Sequence, residues 1–379
     1  MAGGGDGTEW LLLRAAPGVS HALARKLVEA CGRIDAIRET PAARLAALGA
    51  PAGLLGHLDD AAARAEAARE LDRIAAADAR LVTIVNAEYP EILRQLRDAP
   101  LYLIAKGEPL LEGPAIAIVG ARRATAYGLD AARRLATELA DAGIAIVSGL
   151  ARGIDGAAHE GALAGRGRTV AVLGSGIDVV YPAEHTALAA RIVAEGTLLS
   201  EHPVGTAPLP PHFPARNRIL AGMTQGTIVI EAAERSGSLI TARLANEYGR
   251  EVFAVPGRID SPLSAGAHLL IRDGATLVRD VGDVLEQVAP ALRSRAGTSR
   301  GGAVGTGSDV APEGGRADLV VAALANGPAS VDDLIRQLGL EAGEILAMLL
   351  DLELSGVLRQ VGGRQYQLTG RFAGVGGLQ

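Results

Sequence analysis

The chain has 379 residues, of which 49% are hydrophobic and 21% are charged, so it is long enough for two or three domains with buried cores. Its formal net charge of −6 argues against a general basic surface for nucleic acid, although an acidic protein can still carry a local cationic groove. Cys31 is the only cysteine, which excludes an intramolecular disulfide and a cysteine-based zinc site.

The amino-terminal sequence shows neither a targeting signal nor a membrane segment. MAGGGDGT lacks the basic start and the long apolar core of a signal peptide. No apolar run reaches the roughly 18 residues that a membrane helix needs. We therefore expect a cytoplasmic protein without a membrane partner.

Residues 1–79 are predicted to form a helical module. Residues 10–14 and 21–30 read as two helices around a short hairpin, with Ser20 as the N-cap of the second helix. This piece resembles a SAM-like or helix–hairpin–helix module of the kind that is associated with DNA. Because Ser20 stands where the second hairpin glycine is expected, we favour a packing role over a phosphate-gripping one.

Residues 80–290 are predicted to form a Rossmann-like, doubly wound, mostly parallel α/β sheet. Short runs that are continuously apolar alternate with helical segments, as expected for strands whose two faces are both covered by helices. The runs are LVTIV, LYLIA, Ile116–Val119, Ile144–Val147, Thr169–Gly174, Gly196–Glu201, Thr227–Ala232, Glu251–Gly257 and Ala275–Val278.

A flexible linker is predicted over residues 291–316, which are rich in Gly, Ser, Thr and Arg and lack periodicity. Residues 317–371 then read as three helices and a β-hairpin, the elements of a winged helix. The third helix carries four acidic residues and no lysine or arginine, the wrong sign for a phosphate backbone. We favour contact with another protein through this domain, and contact with DNA through Arg359 and Arg364 of the hairpin remains the alternative.

Ligands of an open parallel sheet bind outside the carboxyl ends of its strands. The runs Ile116–Val119 and Ile144–Val147 each end in a loop with glycine and arginine that opens a helix, which leaves backbone N–H groups for an anion. Seven arginines are predicted at this edge: Arg122, Arg123, Arg152, Arg216, Arg218, Arg235 and Arg258. Guanidinium groups beside small residues predict a phosphate-binding groove.

Other ligand classes fit the sequence poorly. The spacing of Gly120 and Gly128 is not GxGxxG, and Ser148-Gly149 stands where a ribose-binding carboxylate would follow the second strand, so an NAD site is not expected. A P-loop is excluded because the chain has no GxxxxGK[ST] sequence. We predict neither a cofactor nor a metal.

Three titratable residues are candidates for catalysis. Asp155 and His159 lie four apart on one helix face, which could suit metal binding or proton transfer. We favour a structural interpretation, with a capping aspartate and a packed histidine. Glu231 ends a strand near Ser236 and Ser238, where a carboxylate more often orders a neighbouring loop or pairs with an arginine. No set of nucleophile, base and orienting group emerges, so no catalytic residue is predicted.

Eight ordered blocks between about residues 80 and 288 carry a family resemblance. The blocks are IVGARRATAYG, SGLARGIDGAAH, Tyr181-Pro182, Ser200-Glu201, FPARNRILAG, EAAERSGSLITA, GREVFAVPG and GAHLLIRDGA. In this order they resemble the DNA-processing protein A (DprA/Smf) family. The resemblance implies a Rossmann-like protein of natural transformation that binds and shields incoming single-stranded DNA, loads the recombinase RecA, works as a homodimer and has no catalytic activity.

The family's motifs fall on defined positions of this sequence. Its Gly-Ser-Arg loop corresponds to Gly120-Ala121-Arg122, and its RNR element corresponds to Arg216-Asn217-Arg218. We expect Arg122 and Arg218 to contact phosphates, three glycine amides to line the groove and Phe213 to stack on a base. The predicted DNA-binding residues are Gly120, Arg122, Arg123, Gly149, Arg152, Phe213, Arg216, Asn217, Arg218, Ser236, Gly237 and Ser238.

Two alternatives come from other classes of protein. An enzyme similar to the Rossmann-like phosphoribohydrolases would use Glu231 as its acid–base residue, but Met223-Thr224-Gln225 replaces the Pro-Gly-Gly of their PGGxGTxxE signature. A winged-helix transcription regulator with a ligand-sensing body is disfavoured by the acidic third helix. Single-strand binding with RecA loading is the leading hypothesis.

Overall fold

The computed structural model describes residues 7–110, 113–165 and 167–289, and parts of the carboxy-terminal region. Those parts are residues 320, 323–324, 328–340, 345–346, 348–349, 352–353, 357–361 and 365–368. The chain divides into two compact units, Met1–Gly302 and Ala303–Gln379. The predicted linker at 291–316 lies outside the described residues, and the domain boundaries remain predictions.

The amino-terminal part is helical, as the sequence predicts. Its helices are α1 (Gly7–Ala15), α2 (His21–Cys31), α3 (Ala36–Glu39), α4 (Ala42–Ala47), α5 (Leu54–Asp59) and α6 (Ala61–Ala76). Ser20 caps α2, because its Oγ accepts a hydrogen bond from the amide of Leu23 at 3.2 Å. Trp10, Leu13 and Leu27 are fully buried between these helices and the following sheet, in one continuous apolar cluster.

Nine strands form one sheet within the described part of the first unit. They are β1 (Arg80–Thr83), β2 (Tyr102–Gly107), β3 (Ala115–Gly120), β4 (Ala145–Ser148), β5 (Thr169–Val172), β6 (Thr197–Ser200), β7 (Gly226–Ile230), β8 (Glu251–Ala254) and β9 (Thr276–Leu277). The order is β1-β2-β6-β5-β4-β3-β7-β8-β9. Strands β3 to β9 pair in parallel, whereas β2 pairs antiparallel with both β1 and β6. The predicted doubly wound, mostly parallel sheet is confirmed.

Helices cover both faces of the sheet. They are α7 (Glu91–Arg94), α8 (Ala126–Asp141), α9 (Ile154–Ala164), α10 (Thr186–Glu195), α11 (His212–Gly222), α12 (Gly237–Glu247), α13 (Ala265–Arg272) and α14 (Val281–Val288). Successive side chains of a strand point to opposite faces, so Ile116 and Ile118 of β3 lie in one apolar cluster and Val119 lies in the other. This double burial explains why the strands read as continuous apolar runs.

The strand order reverses at β3. From β3 the chain proceeds through β4, β5 and β6 in one direction along the sheet, and through β7, β8 and β9 in the other. A crevice at the carboxyl ends of the strands is expected at such a switch point. No helix in the described part of the chain has the length and apolarity to cross a membrane.

The second unit contains a three-stranded sheet of order β10-β12-β11. The strands are β10 (Ala329–Ser330), β11 (Leu358–Val361) and β12 (Gln365–Leu368), and helix α15 (Val331–Leu338) follows β10. Ser330 and Asp333 cap α15 reciprocally, as their spacing suggests. A helix with an antiparallel hairpin agrees with the predicted winged helix. Arg359 is exposed on β11, whereas Arg364 lies outside the described residues.

Candidate functional site

A cavity of about 430 Å³ lies at the carboxyl edge of the sheet, where the strand order reverses. Loops that follow β3, β4, β5, β6 and β7 contribute its walls. Eight of the twelve predicted binding residues line it: Gly120, Arg122, Phe213, Arg216, Asn217, Ser236, Gly237 and Ser238. Arg123, Gly149, Arg152 and Arg218 are not among the lining residues. The centre of the predicted groove is therefore a concavity that opens to solvent.

One wall of the cavity combines a cation with two rings. The Arg122 guanidinium lies 5.4 Å from the centroid of the Phe213 ring, a cation–π arrangement. The rings of Phe213 and Tyr181 lie with their centroids 5.6 Å apart and are inclined by 46°. Tyr181 is 42% exposed and lines the cavity. Tyr181 is not among the residues predicted to bind DNA, although it lies in the segment between β5 and α10 that starts at the carboxyl edge of the sheet.

Arg216 lies beneath the cavity and not on its rim. Its side chain is buried, and Nη1 donates hydrogen bonds to the carbonyl oxygens of Gly149 (2.9 Å) and Val172. Burial lowers the pKa of Arg216 to about 10, and the nearby Asp155 carboxylate opposes that shift. Arg216 thus supplies a buried charge at the floor of the cavity, where Nη1 makes both hydrogen bonds and the buried Nε has no hydrogen-bond partner among the described residues.

Asp155 closes the loop that opens α9. Its Oδ2 accepts hydrogen bonds from the amides of Gly149 at 3.1 Å and Ala151 at 3.3 Å. Burial raises the pKa of Asp155, while the charge of Arg216 and these amide hydrogen bonds act in the opposite direction. The amide of Gly149 is therefore occupied by an internal carboxylate in this structure, and its contact with DNA stays a prediction.

The Glu231 carboxylate likewise accepts hydrogen bonds at the start of α8. Its Oε2 accepts a hydrogen bond from the Thr125 amide at 2.8 Å, and the Thr125 hydroxyl donates to Oε1. Glu231 adopts a φ of 50°, in the left-handed region, to bring its side chain there. Glu231 therefore occupies the amide of the α8 N-cap residue, and Asp155 occupies two loop amides that precede α9. The expectation that Glu231 orders a neighbouring loop is confirmed.

The other candidate catalytic groups also make structural hydrogen bonds. His159 is fully buried, and its Nδ1 lies 2.7 Å from Thr169 Oγ1. Burial lowers the pKa of His159 to about 3, which keeps the ring neutral. The hydroxyls of Ser148 and Ser200 donate to backbone carbonyls at 2.6 Å. No group of three or more His, Cys, Asp or Glu side chains in the described part of the chain could hold a metal ion.

The arginines at the sheet edge divide into paired and unpaired groups. Arg218, which is 16% exposed, pairs with Glu201 and donates to the Asp98 carbonyl at 2.7 Å, so its predicted contact with a phosphate is not supported by this geometry. Arg152 pairs with Glu184 at 2.7 Å, and Arg258 pairs with Asp260 at 2.8 Å. Of the seven arginines at this edge, three are exposed and have no carboxylate within ion-pair distance among the described residues: Arg122, Arg123 and Arg235.

Comparisons with known proteins agree on one family. A family model described as DNA recombination-mediator protein A matches residues 80–289, and one described as DprA winged helix domain matches residues 308–364. Protein Smf of Escherichia coli (strain K12) is 40% identical over 286 residues, which is 74% of this chain and 75% of that protein. DNA processing protein DprA of Bacillus subtilis (strain 168) is 44% identical over 209 residues, which is 55% of this chain and 70% of that protein.

A solved structure gives the same result for the fold. The X-ray structure of DNA processing protein A from Streptococcus pneumoniae aligns with a TM-score of 0.65 at 36% sequence identity. The alignment covers 74% of this chain and 96% of that chain.

Proposed function

The chain belongs to the DNA-processing protein A (DprA/Smf) family, and we propose that its cavity and the unpaired arginines beside it bind single-stranded DNA. The observation that carries this proposal is the wall formed by Arg122, Phe213 and Tyr181. A guanidinium group beside accessible aromatic rings offers a phosphate contact and a stacking surface to the same nucleotide. Such a wall suits a strand whose bases are not paired.

The distribution of charge supports the same site. The protein is acidic overall, and Arg152 and Arg258 at this edge are neutralised by partner carboxylates. Unpaired arginines occur after β3, as Arg122 and Arg123, and after β7, as Arg235. Because β3 and β7 are neighbours at the switch point, these cations flank the cavity. A polyanion binds most favourably to positive charges that no carboxylate of the protein neutralises.

We also propose, from the family resemblance, that the protein shields incoming strands and loads RecA onto them during natural transformation, as a cytoplasmic homodimer. The commitment of Asp155, Glu231 and Ser148 to structural hydrogen bonds supports a role without catalysis. The phosphoribohydrolase alternative requires a free Glu231 carboxylate. Incubation with nucleoside monophosphates should release no base.

The central experiment measures binding of a labelled oligothymidine and of a duplex of equal length across a range of salt concentrations. We expect preference for the single strand and a linear fall of log K with log salt. Arg122→Ala should weaken binding about tenfold or more and reduce the salt slope by about one. Equal binding of wild type and Arg122→Ala would show that the site is misplaced.

RecA loading and assembly need separate measurements. With the protein present, RecA ATPase activity on strands already coated by a single-strand-binding protein should begin sooner, because loading removes the nucleation delay. An unchanged delay would contradict the proposed loading role without affecting the proposal for the DNA site. Sedimentation equilibrium should give twice the mass of one chain.

A further inference from the structure

We propose that the amino-terminal helices position the lip of the cavity, and that Glu70 of α6 is the positioning residue. The lip is the segment of residues 201–211 between β6 and α11, in which Pro208 and Pro210 line the cavity. This role rests on the proposed single-strand binding, and it goes beyond the packing role that the sequence indicates for the helices.

Glu70 is buried, unlike the other acidic residues of α6. Only 8% of its side chain is exposed, compared with 55% for Glu66 one turn earlier on the same helix. Its Oε1 accepts a hydrogen bond from the Val204 amide at 2.8 Å, and its Oε2 accepts one from Arg73 at 2.8 Å. A buried carboxylate needs such donors in place of water. Glu70 therefore joins α6 to the lip across 134 residues of sequence.

A second contact from the helices holds the start of the lip. His21 of α2 lies with its Nε2 3.0 Å from Oε1 of Glu201. Burial lowers the pKa of His21 to about 4, so the ring is neutral at pH 7 and its Nε2–H group donates to the carboxylate. Glu201 also pairs with Arg218 of α11. The helical module thus contacts the lip at two places, through α2 and through α6.

The far end of the lip has few hydrogen bonds of its own. Residues 207–211 include three prolines, which lack an N–H group and have a fixed φ. The amides of Ala207 and Leu209 donate no hydrogen bond to any other residue that the structure describes. Such a segment is stiff but weakly held, so its place beside the cavity is set by the contacts of the residues before it.

The loop that follows β5 makes the other contacts with those residues. The Gly205 amide donates to Asp178 Oδ1 at 2.8 Å, and the Thr206 carbonyl accepts from the Gly176 amide at 2.9 Å. Asp178 is exposed, so water competes for its hydrogen bond. Glu70 is buried on a helix of 16 residues, and its contact is therefore the one that fixes the lip to a rigid element.

The test separates the reach of the Glu70 side chain from its charge. Glu70→Gln keeps an oxygen at the same distance and removes the charge, so affinity for labelled oligothymidine should stay close to wild type. Glu70→Asp keeps the charge and withdraws the oxygens by one methylene, so the Val204 amide loses its acceptor. Affinity should then fall about three- to tenfold, because the strand must order the lip as it binds. The salt slope should not change, since no arginine is removed.

The matched control is Glu66→Asp, which makes the same shortening one turn earlier on α6. Glu66 pairs with Arg69 and Arg73 and makes no hydrogen bond or ion pair with the lip among the described residues. Its affinity should be that of wild type. Hydrogen–deuterium exchange gives a second measurement that needs no DNA. The Val204 amide should exchange faster in Glu70→Asp, and at the wild-type rate in Glu70→Gln and Glu66→Asp.

Two results would overturn the positioning role of Glu70. One is equal affinity of Glu70→Asp and wild type, which would show that Glu70 only stabilises the fold, even if the Val204 amide exchanges faster. The other is a loss of affinity in Glu70→Gln as large as that in Glu70→Asp, which would assign the effect to charge. The proposed function fails in a different way, if wild type does not bind the single strand or if Arg122→Ala binds it as well as wild type.

Discussion

Glu231 closes the amino terminus of α8 with its carboxylate, because the Thr125 amide, 106 residues away in sequence, donates a hydrogen bond to its Oε2 at 2.8 Å. Asp155 accepts hydrogen bonds from two amides of the loop that precedes α9, those of Gly149 and Ala151. A Rossmann-like sheet often presents these helix ends to a phosphate. Here internal carboxylates occupy the amides of Thr125, Gly149 and Ala151, which leaves the unpaired arginines as the main candidates for phosphate contacts with the proposed strand.

Glu231→Ala should destabilise the fold by about 1–3 kcal/mol, because the Thr125 amide and hydroxyl lose their acceptor in a poorly solvated position. Glu231→Gln should cost less, since its amide oxygen can still accept a hydrogen bond. Urea denaturation measures both changes. Affinity for oligothymidine should stay at the wild-type value in Glu231→Gln. A loss of binding without a loss of stability would instead assign Glu231 to the ligand.

Two glycines of the cavity lining should respond in opposite ways to alanine. A Cβ on Gly120 would overlap the carbonyl oxygen of Ile230 and lie 2.6 Å from Ile154 Cγ1, contacts that the backbone of β7 cannot avoid. Gly120→Ala should therefore destabilise the protein by about 3 kcal/mol or more. A Cβ on Gly237 meets no atom within 4 Å, so Gly237→Ala should be neutral or slightly stabilising in α12. Thermal unfolding of the two variants checks this contrast.

The fold was predictable because its signals are local. Strands β3 to β7 of the parallel sheet are buried on both faces and so read as apolar runs. Ser20 and Ser330 mark helix starts through their own side chains. The place of the site followed from the rule that ligands meet open sheets at the carboxyl ends of strands.

The ion pairs of the candidate site were not predictable, because they join residues that are far apart in sequence. The sequence does not show that Glu201 reaches Arg218, or that Glu184 neutralises Arg152, since each pair is set by loop conformation and helix packing. Counting arginines at the edge therefore overestimated the free charge. The cavity itself is walled partly by Pro208 and Pro210, which lie in a segment without a periodic pattern.

Free and paired arginines should contribute differently to DNA binding. Arg123→Ala removes an exposed cation without a carboxylate partner among the described residues, so it should weaken single-strand binding and reduce the salt slope. The double variant Arg258→Ala/Asp260→Ala removes an ion pair whose net charge is zero, so affinity should not change. Fluorescence anisotropy at several salt concentrations measures both effects. Equal losses in the two variants would contradict the division of the edge into free and neutralised charge.

His159 should make the protein less stable in acid. Burial lowers its pKa to about 3, compared with 6.5 in the unfolded chain, so between these values the unfolded state binds more protons. Its contribution to stability is complete above pH 6.5 and is lost, by about 1.4 kcal/mol per pH unit, as the pH falls toward 3. Between pH 6 and pH 4, His159→Gln should reduce the slope of the unfolding free energy against pH by the amount that corresponds to one bound proton. If urea denaturation gives the same pH slope for His159→Gln and wild type, the buried ring does not govern the pH dependence of stability.

Asp155 and Arg216 should be energetically coupled, because they bind opposite polar groups of Gly149 and carry opposite buried charges. Asp155 accepts from the Gly149 amide, and Arg216 donates to the Gly149 carbonyl. Asp155→Asn keeps an acceptor but leaves the Arg216 charge uncompensated, and Arg216→Met leaves the Asp155 carboxylate uncompensated. The losses of unfolding free energy in the two single variants should therefore sum to more than the loss in the double variant. The difference, which is the coupling energy of a double-mutant cycle, should be about 1–3 kcal/mol. Strictly additive losses in urea denaturation would show that the two charges act independently beneath the cavity.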